Sequence, residues 1–173
     1  MEPKKLVILD FDGVINAFSP EYRMDHWWQD YTDTYLEPRN FGRFKINYSP
    51  TLVNIINTWN KRKDTDVAWV TSWYGNTYTF TQLGFDKFPE YGPSDESVDI
   101  RYGGTWKPRI GASLIESGKY DKIVWIDDDY TINKVNKEVA FLTKDYLSLV
   151  TNDYCGITPE DVETIEKYLD ISH

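Results

Sequence analysis

Three stretches of this chain are unbroken apolar runs: Leu6-Val7-Ile8-Leu9, Val67-Ala68-Trp69-Val70 and Ile123-Val124-Trp125-Ile126. Runs this short and this continuous mark strands buried on both faces. Tyr146-Leu147-Ser148-Leu149-Val150 reads as a last strand. Between and after the strands the apolar period changes to that of a helix. Leu52, Ile55, Ile56 and Trp59 follow a Ser49-Pro50 start, and Ile110, Leu114 and Ile115 share one face. Val162, Ile165 and Leu169 follow Thr158-Pro159-Glu160-Asp161, with Thr158 as cap and Asp161 in the first turn. Alternating strands and helices predict an α/β fold, with a mostly parallel central sheet and helices on both faces. Residues 16 to about 40 interrupt the alternation, being polar, aromatic and without a clean period. Phe41-Gly42-Arg43-Phe44-Lys45-Ile46-Asn47 then alternates like a half-exposed strand. Residues 84 to 104, with Gly84, Pro89, Gly92, Pro93, Gly103 and Gly104, read as loop.

Chemistry-bearing residues collect where the apolar runs end, which is where open α/β sheets place their ligand sites. The first run leads into Asp10-Phe11-Asp12-Gly13, and Gly13 allows a sharp turn. Two carboxylates this close repel unless a cation lies between them or one keeps a proton. Mg²⁺ suits such a site, since it prefers carboxylate oxygens and shares itself with substrate phosphate. The second run ends in Thr71 and Ser72, hydroxyls able to donate to a phosphoryl oxygen; Thr71 comes first, with Ser72 in reserve. Trp73 and Tyr74 follow so closely that one of them is expected to line the substrate pocket. In Thr105-Trp106-Lys107-Pro108-Arg109, proline suits a first helical position, which puts Lys107 at a helix amino end, poised for an anion. The third run enters Asp127-Asp128-Asp129, of which Asp127 and Asp128 are best placed to complete a metal's oxygen shell.

Acid pair, hydroxyl, lysine, acid pair is the four-motif order of the haloacid dehalogenase superfamily of phosphatases, which this chain resembles over most of its length. A receiver domain has similar residue types in a different order. Asp10-Phe11-Asp12-Gly13-Val14-Ile15-Asn16, Trp69-Val70-Thr71-Ser72-Trp73, Thr105-Trp106-Lys107, Trp125-Ile126-Asp127-Asp128-Asp129 and Tyr154-Cys155-Gly156-Ile157-Thr158-Pro159-Glu160-Asp161 are similar to one branch. That branch is the small haloacid-dehalogenase-type domains named after bacterial and phage RNA-repair proteins. The resemblance implies a Rossmann-like fold over residues 1–173 as a single domain, with a short flap or cap inserted after the first strand at about 16–48. It also implies that Asp10 is a nucleophile forming an aspartyl-phosphate and that Asp12 is the general acid and base. Mg²⁺ would be held by Asp10, the Asp12 carbonyl and Asp127 or Asp128, while Lys107 and Thr71 bind the phosphoryl oxygens. Gly13, Ser72, Trp73 and Arg43 are expected at the substrate, which the branch makes a terminal phosphate on a short RNA or DNA end.

Composition narrows the partners. The net charge of −9 gives no basic stripe for a long duplex, so a nucleic acid would be gripped over a few nucleotides at an end. The flap holds Trp27, Trp28, Tyr31, Tyr35, Arg39, Arg43 and Lys45, able to stack a base and hold a phosphate. The heavier weight falls on packing, because a short insertion needs apolar contacts of its own. One cysteine, Cys155, excludes an internal disulfide and fits a reducing cytoplasm, of a bacterium or of a phage-infected one. His26 and His173 are too few for a multi-histidine zinc site. Met1-Glu2-Pro3 leads straight toward a strand, and no apolar run approaches the roughly 20 residues of a membrane span. Two other functions stay open: a phosphatase of nucleotides or other small esters, and a non-catalytic phosphate-binding module.

Overall fold

The computed structural model describes residues 4–22, 24–94, 100, 103–129 and 146–171. Met1–Pro3, His173 and part of the 84–104 loop lie outside them. Its centre is a four-stranded, wholly parallel sheet in the order β4-β1-β5-β6. The strands are β1 (Lys5–Leu9), β4 (Thr65–Trp69), β5 (Lys122–Asp127) and β6 (Tyr146–Val150). The first three coincide with the continuous apolar runs, as strands sandwiched between helices require.

Side chains alternate across the sheet and sort the core into two layers. Val7, Leu9, Val67, Trp69, Val124 and Ile126 pack with Leu52, Ile56 and Trp59 of α1 (Pro50–Asn60) and with Val162 and Ile165 of α3 (Pro159–Tyr168). Leu6, Ile8, Ala68, Val70, Ile123 and Trp125 pack with Trp106 and Ile115 of α2 (Gly103–Glu116). Helices therefore cover both faces, as the alternation predicts. α2 lies so close that a Cβ on Gly111 would stand 1.8 Å from the Trp125 ring, so only glycine fits there.

The caps follow the sequence signals. Ser49 accepts from the Leu52 amide at 3.2 Å to open α1, and Thr158 and Asp161 form a reciprocal capping box on α3. One signal misleads. α2 starts at Gly103, so Pro108 sits inside the helix and Lys107 lies in its second turn, not at its amino end. The expectation that Lys107 stands at a helix amino end, poised there for an anion, therefore falls.

The insertion is a hairpin of β2 (Thr32–Leu36) and β3 (Phe44–Tyr48), antiparallel, with Thr34 opposite Ile46. The second strand matches the alternating stretch; the first was not expected. Its Thr-Asp-Thr-Tyr-Leu is mostly exposed, with only Leu36 fully buried, so no apolar period marks it. Side-chain hydrogen bonds are among the contacts that anchor the insertion to the domain. The Trp28 indole donates to the Ile157 carbonyl at 2.7 Å, the Tyr31 hydroxyl to the Cys155 carbonyl at 2.5 Å, and the Ser49 hydroxyl to Asp30 at 2.5 Å. Trp28 and Tyr31 thus pack the flap down, as the heavier reading had it. Among the described residues no helix is long and apolar enough to cross a membrane.

Candidate active site

Register alone brings the acids together. Leu9 pairs with Ile126, so the next residues along β1 and β5, Asp10 and Asp127, emerge side by side at the carboxyl edge of the sheet. The Asp10 amide donates to the Ile126 carbonyl at 3.0 Å and fixes that edge. Leu9 is also level with Trp69 on β4, which brings buried Thr71 to the same edge two residues beyond that strand.

Lys107 reaches this edge from α2. Its ammonium donates to Asp10 Oδ2 at 2.6 Å and to Asp127 Oδ2 at 3.0 Å, and all three side chains are buried. Burial pushes the ammonium down, but Asp10 and Asp127 more than offset it, and Lys107 holds its proton more tightly than a free lysine. The other oxygens of the pair are also held. Asp10 Oδ1 accepts from the Phe11 amide at 2.7 Å and Asp127 Oδ1 from the Asp129 amide at 3.0 Å.

Asp10, Asp127 and Asp128 each present a carboxylate oxygen within 4.8 Å of the others. Three carboxylates against one ammonium leave an excess of negative charge, and the acids feel it. Burial, then the Asp10 charge, pushes Asp128 up to about 6; the same causes push Asp127 up, with Lys107 opposing. A crowded, oxygen-only donor set of this kind suits a hard divalent cation, whose charge would balance the excess.

Asp12 stands apart from that cluster. Its Oδ1 accepts from the Asn16 amide group at 2.8 Å and its Oδ2 from the Trp73 indole at 2.8 Å. The Asp12 carboxylate is thus engaged elsewhere, and the carboxylates that converge are those of Asp10, Asp127 and Asp128; what was expected of Asp12 at a metal is its backbone carbonyl. Burial raises the Asp12 pKa against the pull of those two hydrogen bonds. An acid with a raised pKa holds a proton for transfer more readily than a free carboxylate does.

The remaining expected site residues divide. Ser72 and Trp73 line a cavity of about 550 Å³ that opens beside Asp12. Thr71 Oγ1 accepts from the Trp73 amide at 3.3 Å, and its own O–H can still donate. Arg43 does not join. Its guanidinium stacks on Tyr35 at 3.9 Å and pairs with Glu37 at 3.5 Å on the outside of the hairpin, while Lys45, two residues on, reaches the cavity instead. Gly13 is not free to hold a ligand through its amide, which donates to the Asn16 carbonyl at 2.9 Å. Its role is space: φ is +69°, and a Cβ there would stand 2.2 Å from Asp128 Oδ2.

Other contributors to the site escaped the sequence reading. Thr151 follows β6 as Thr71 follows β4. Its hydroxyl donates to the Gly13 carbonyl at 2.7 Å and its amide to the Asp127 carbonyl at 3.1 Å, tying both acid-bearing turns together. A hydroxyl after a strand was the available signal. Phe18, Phe41 and Phe44 form cavity wall, which no local pattern announces. No protein-family model, curated protein or solved structure matches the chain.

Proposed function

We propose that this chain is a Mg²⁺-dependent phosphomonoester hydrolase working through an aspartyl-phosphate on Asp10, and that it removes a terminal phosphate from a nucleic-acid end. The observation that carries the reading is the convergence of Asp10, Lys107, Asp127 and Asp128, from three separate elements, on one buried point. Asp10, Asp127 and Asp128 would hold the cation, which when bound supplies positive charge against the transferring phosphoryl oxygens.

The Asp10 carboxylate attacks phosphorus, and the bond to the ester oxygen breaks as Asp12 gives that oxygen its proton. Asp12, now ionised, takes a proton from water; the water oxygen attacks phosphorus, the bond to Asp10 breaks, and inorganic phosphate leaves. Lys107 orients Asp10 through its hydrogen bond and adds positive charge where the phosphoryl oxygens gather. Thr71 offers a hydroxyl to the same oxygens.

The cavity beside Asp12 favours a second substrate, a free nucleotide or another small ester, since it is of single-ligand size. The test is phosphate release by wild type and Asp10→Asn, each with Mg²⁺ or EDTA. Its panel is oligonucleotides with matched 3′- or 5′-phosphates, RNA and DNA, beside nucleoside monophosphates. Release should need both Asp10 and Mg²⁺ and should favour one oligonucleotide end. Better turnover of mononucleotides would move the enzyme to the second substrate class. No release, with Mg²⁺ still raising the melting temperature, would leave a phosphate-binding module.

A further inference from the structure

The cavity of about 550 Å³ begins at Asp12 and includes none of Asp10, Lys107 and Asp127. A phosphoryl group seated at Asp10 and Lys107 therefore has its ester oxygen at Asp12 and the rest of the molecule in the cavity. What that remainder is follows from the walls. Phe18, Phe41, Phe44 and Trp73 supply aromatic surface, and the first three stay 47 %, 54 % and 41 % exposed. Large phenyl groups left open around one hollow mark a surface that expects an apolar occupant. Phe44 stands edge-on to Trp73, ring centroids 5.4 Å apart, so the two set a corner for a flat ring to pack against. Asn47 and Asn76 line the same hollow, and a carboxamide can donate and accept at a ring edge. Trp73 is the join: its ring lines the cavity while its indole N–H holds Asp12.

We propose that this cavity is the leaving-group pocket and that it takes a nucleobase, stacked against Phe44 and Trp73 and met at its edge by Asn47 and Asn76. The proposal rests on the phosphohydrolase reading for its chemistry, though not for the binding of the base. A bare sugar phosphate offers hydroxyls where the walls offer rings, and should be a poor substrate. The base reaches the pocket on a free nucleotide or on the last residue of a strand.

The experiment compares phosphate release from nucleoside monophosphates with release from ribose 5-phosphate, which shares the ester and lacks the base. Stacking of one base predicts kcat/KM at least about fivefold higher for the nucleotide. Phe44→Ala should bring that ratio toward one, and Phe41→Ala, at a more exposed ring, should lower it. Oligonucleotides bearing the same terminal phosphate, with and without a base on the terminal sugar, separate the sources. A strand preferred over the mononucleotide, and spoiled by the abasic end, assigns the base to a nucleic-acid terminus; the reverse order assigns it to a free nucleotide. Titration of unphosphorylated adenosine and uridine into the metal-free chain, followed by calorimetry, tests the pocket apart from catalysis. Saturable binding weakened by Phe44→Ala supports it even where no phosphate is released. Equal turnover with and without the base, or no nucleoside binding, overturns it.

Discussion

Lys107 is the only cation bonded to Asp10 and Asp127 among the described residues, so its removal exposes what the cluster stores. Lys107→Met keeps most of the stem and deletes the charge, leaving two buried carboxylates facing each other. Breaking a buried pair in this way costs about 3–5 kcal/mol, which for a chain of this size lowers the melting temperature by about 6–20 °C. Mg²⁺ should recover part of that loss, because it replaces the missing positive charge. A variant that melts like wild type, or that Mg²⁺ does not rescue, would show that the cluster is neutralised some other way. Trp73→Phe probes the acid. It keeps a ring in the cavity and removes the N–H that holds Asp12, a bond to a charged acceptor of the stronger kind. Release from alkyl phosphates, whose leaving oxygen needs a proton, should fall about tenfold or more. Release from p-nitrophenyl phosphate, whose phenolate departs unprotonated, should fall much less. Equal losses on both would make Trp73 a wall residue only.

At the scale of the element, the turn after β1 is held from three sides: by the Gly13 amide on Asn16, by Thr151 on the Gly13 carbonyl and by Asp128 packed over the glycine. Gly13→Ala collides with Asp128 and also demands a left-handed backbone of an alanine. Asp128 must move, so the half-saturating Mg²⁺ concentration, read from the melting temperature, should rise at least several-fold, with a stability loss of about 1–2 kcal/mol without metal. Unchanged Mg²⁺ affinity would remove Asp128 from the metal set. The strands that bear the acids were legible in advance because burial on both faces leaves an unbroken apolar run, and their ends mark themselves with polar residues. β2 was not legible, because a strand of an exposed hairpin has almost no face to bury. Pro108 misplaced the start of α2 because a proline tolerated inside a helix carries the same local signal as one that opens it. The acids and Thr71 could be named from strand ends alone, whereas Lys107, inside α2, was named from the proline after it and from the order of the motifs. The cavity could not, since which of Phe41, Arg43, Phe44 and Lys45 faces inward depends on how the hairpin lies over the sheet.

Over the whole molecule, the same crowding sets how stability responds to pH. Asp12, Asp127 and Asp128 all have pKa values raised in the folded chain, so the native state binds protons there more tightly than the unfolded state does. Their contribution is a destabilisation, full above the folded pKa and relieved as pH falls, for Asp128 between about 6 and the unfolded value of about 4. Asp64 works in the opposite sense. Lys5 holds it down to about 2, so its stabilisation is complete above about pH 4 and lost below. Without metal, the melting temperature should therefore pass through a maximum at roughly pH 4–6 and decline toward pH 8. Mg²⁺ binds the ionised carboxylates, so it competes with the very protons that stabilise the metal-free chain. Its increment in melting temperature should be large at pH 8 and shrink at pH 5. Asp128→Asn separates the two effects within one residue. In EDTA at pH 8 it removes an ionised acid from a crowded cluster and should melt above wild type; with Mg²⁺ it should gain little and fall below. Mg²⁺ increments that are equal at pH 5 and pH 8, or an Asp128→Asn chain that melts lower than wild type in EDTA at pH 8, would mean that the three acids do not share one cation site.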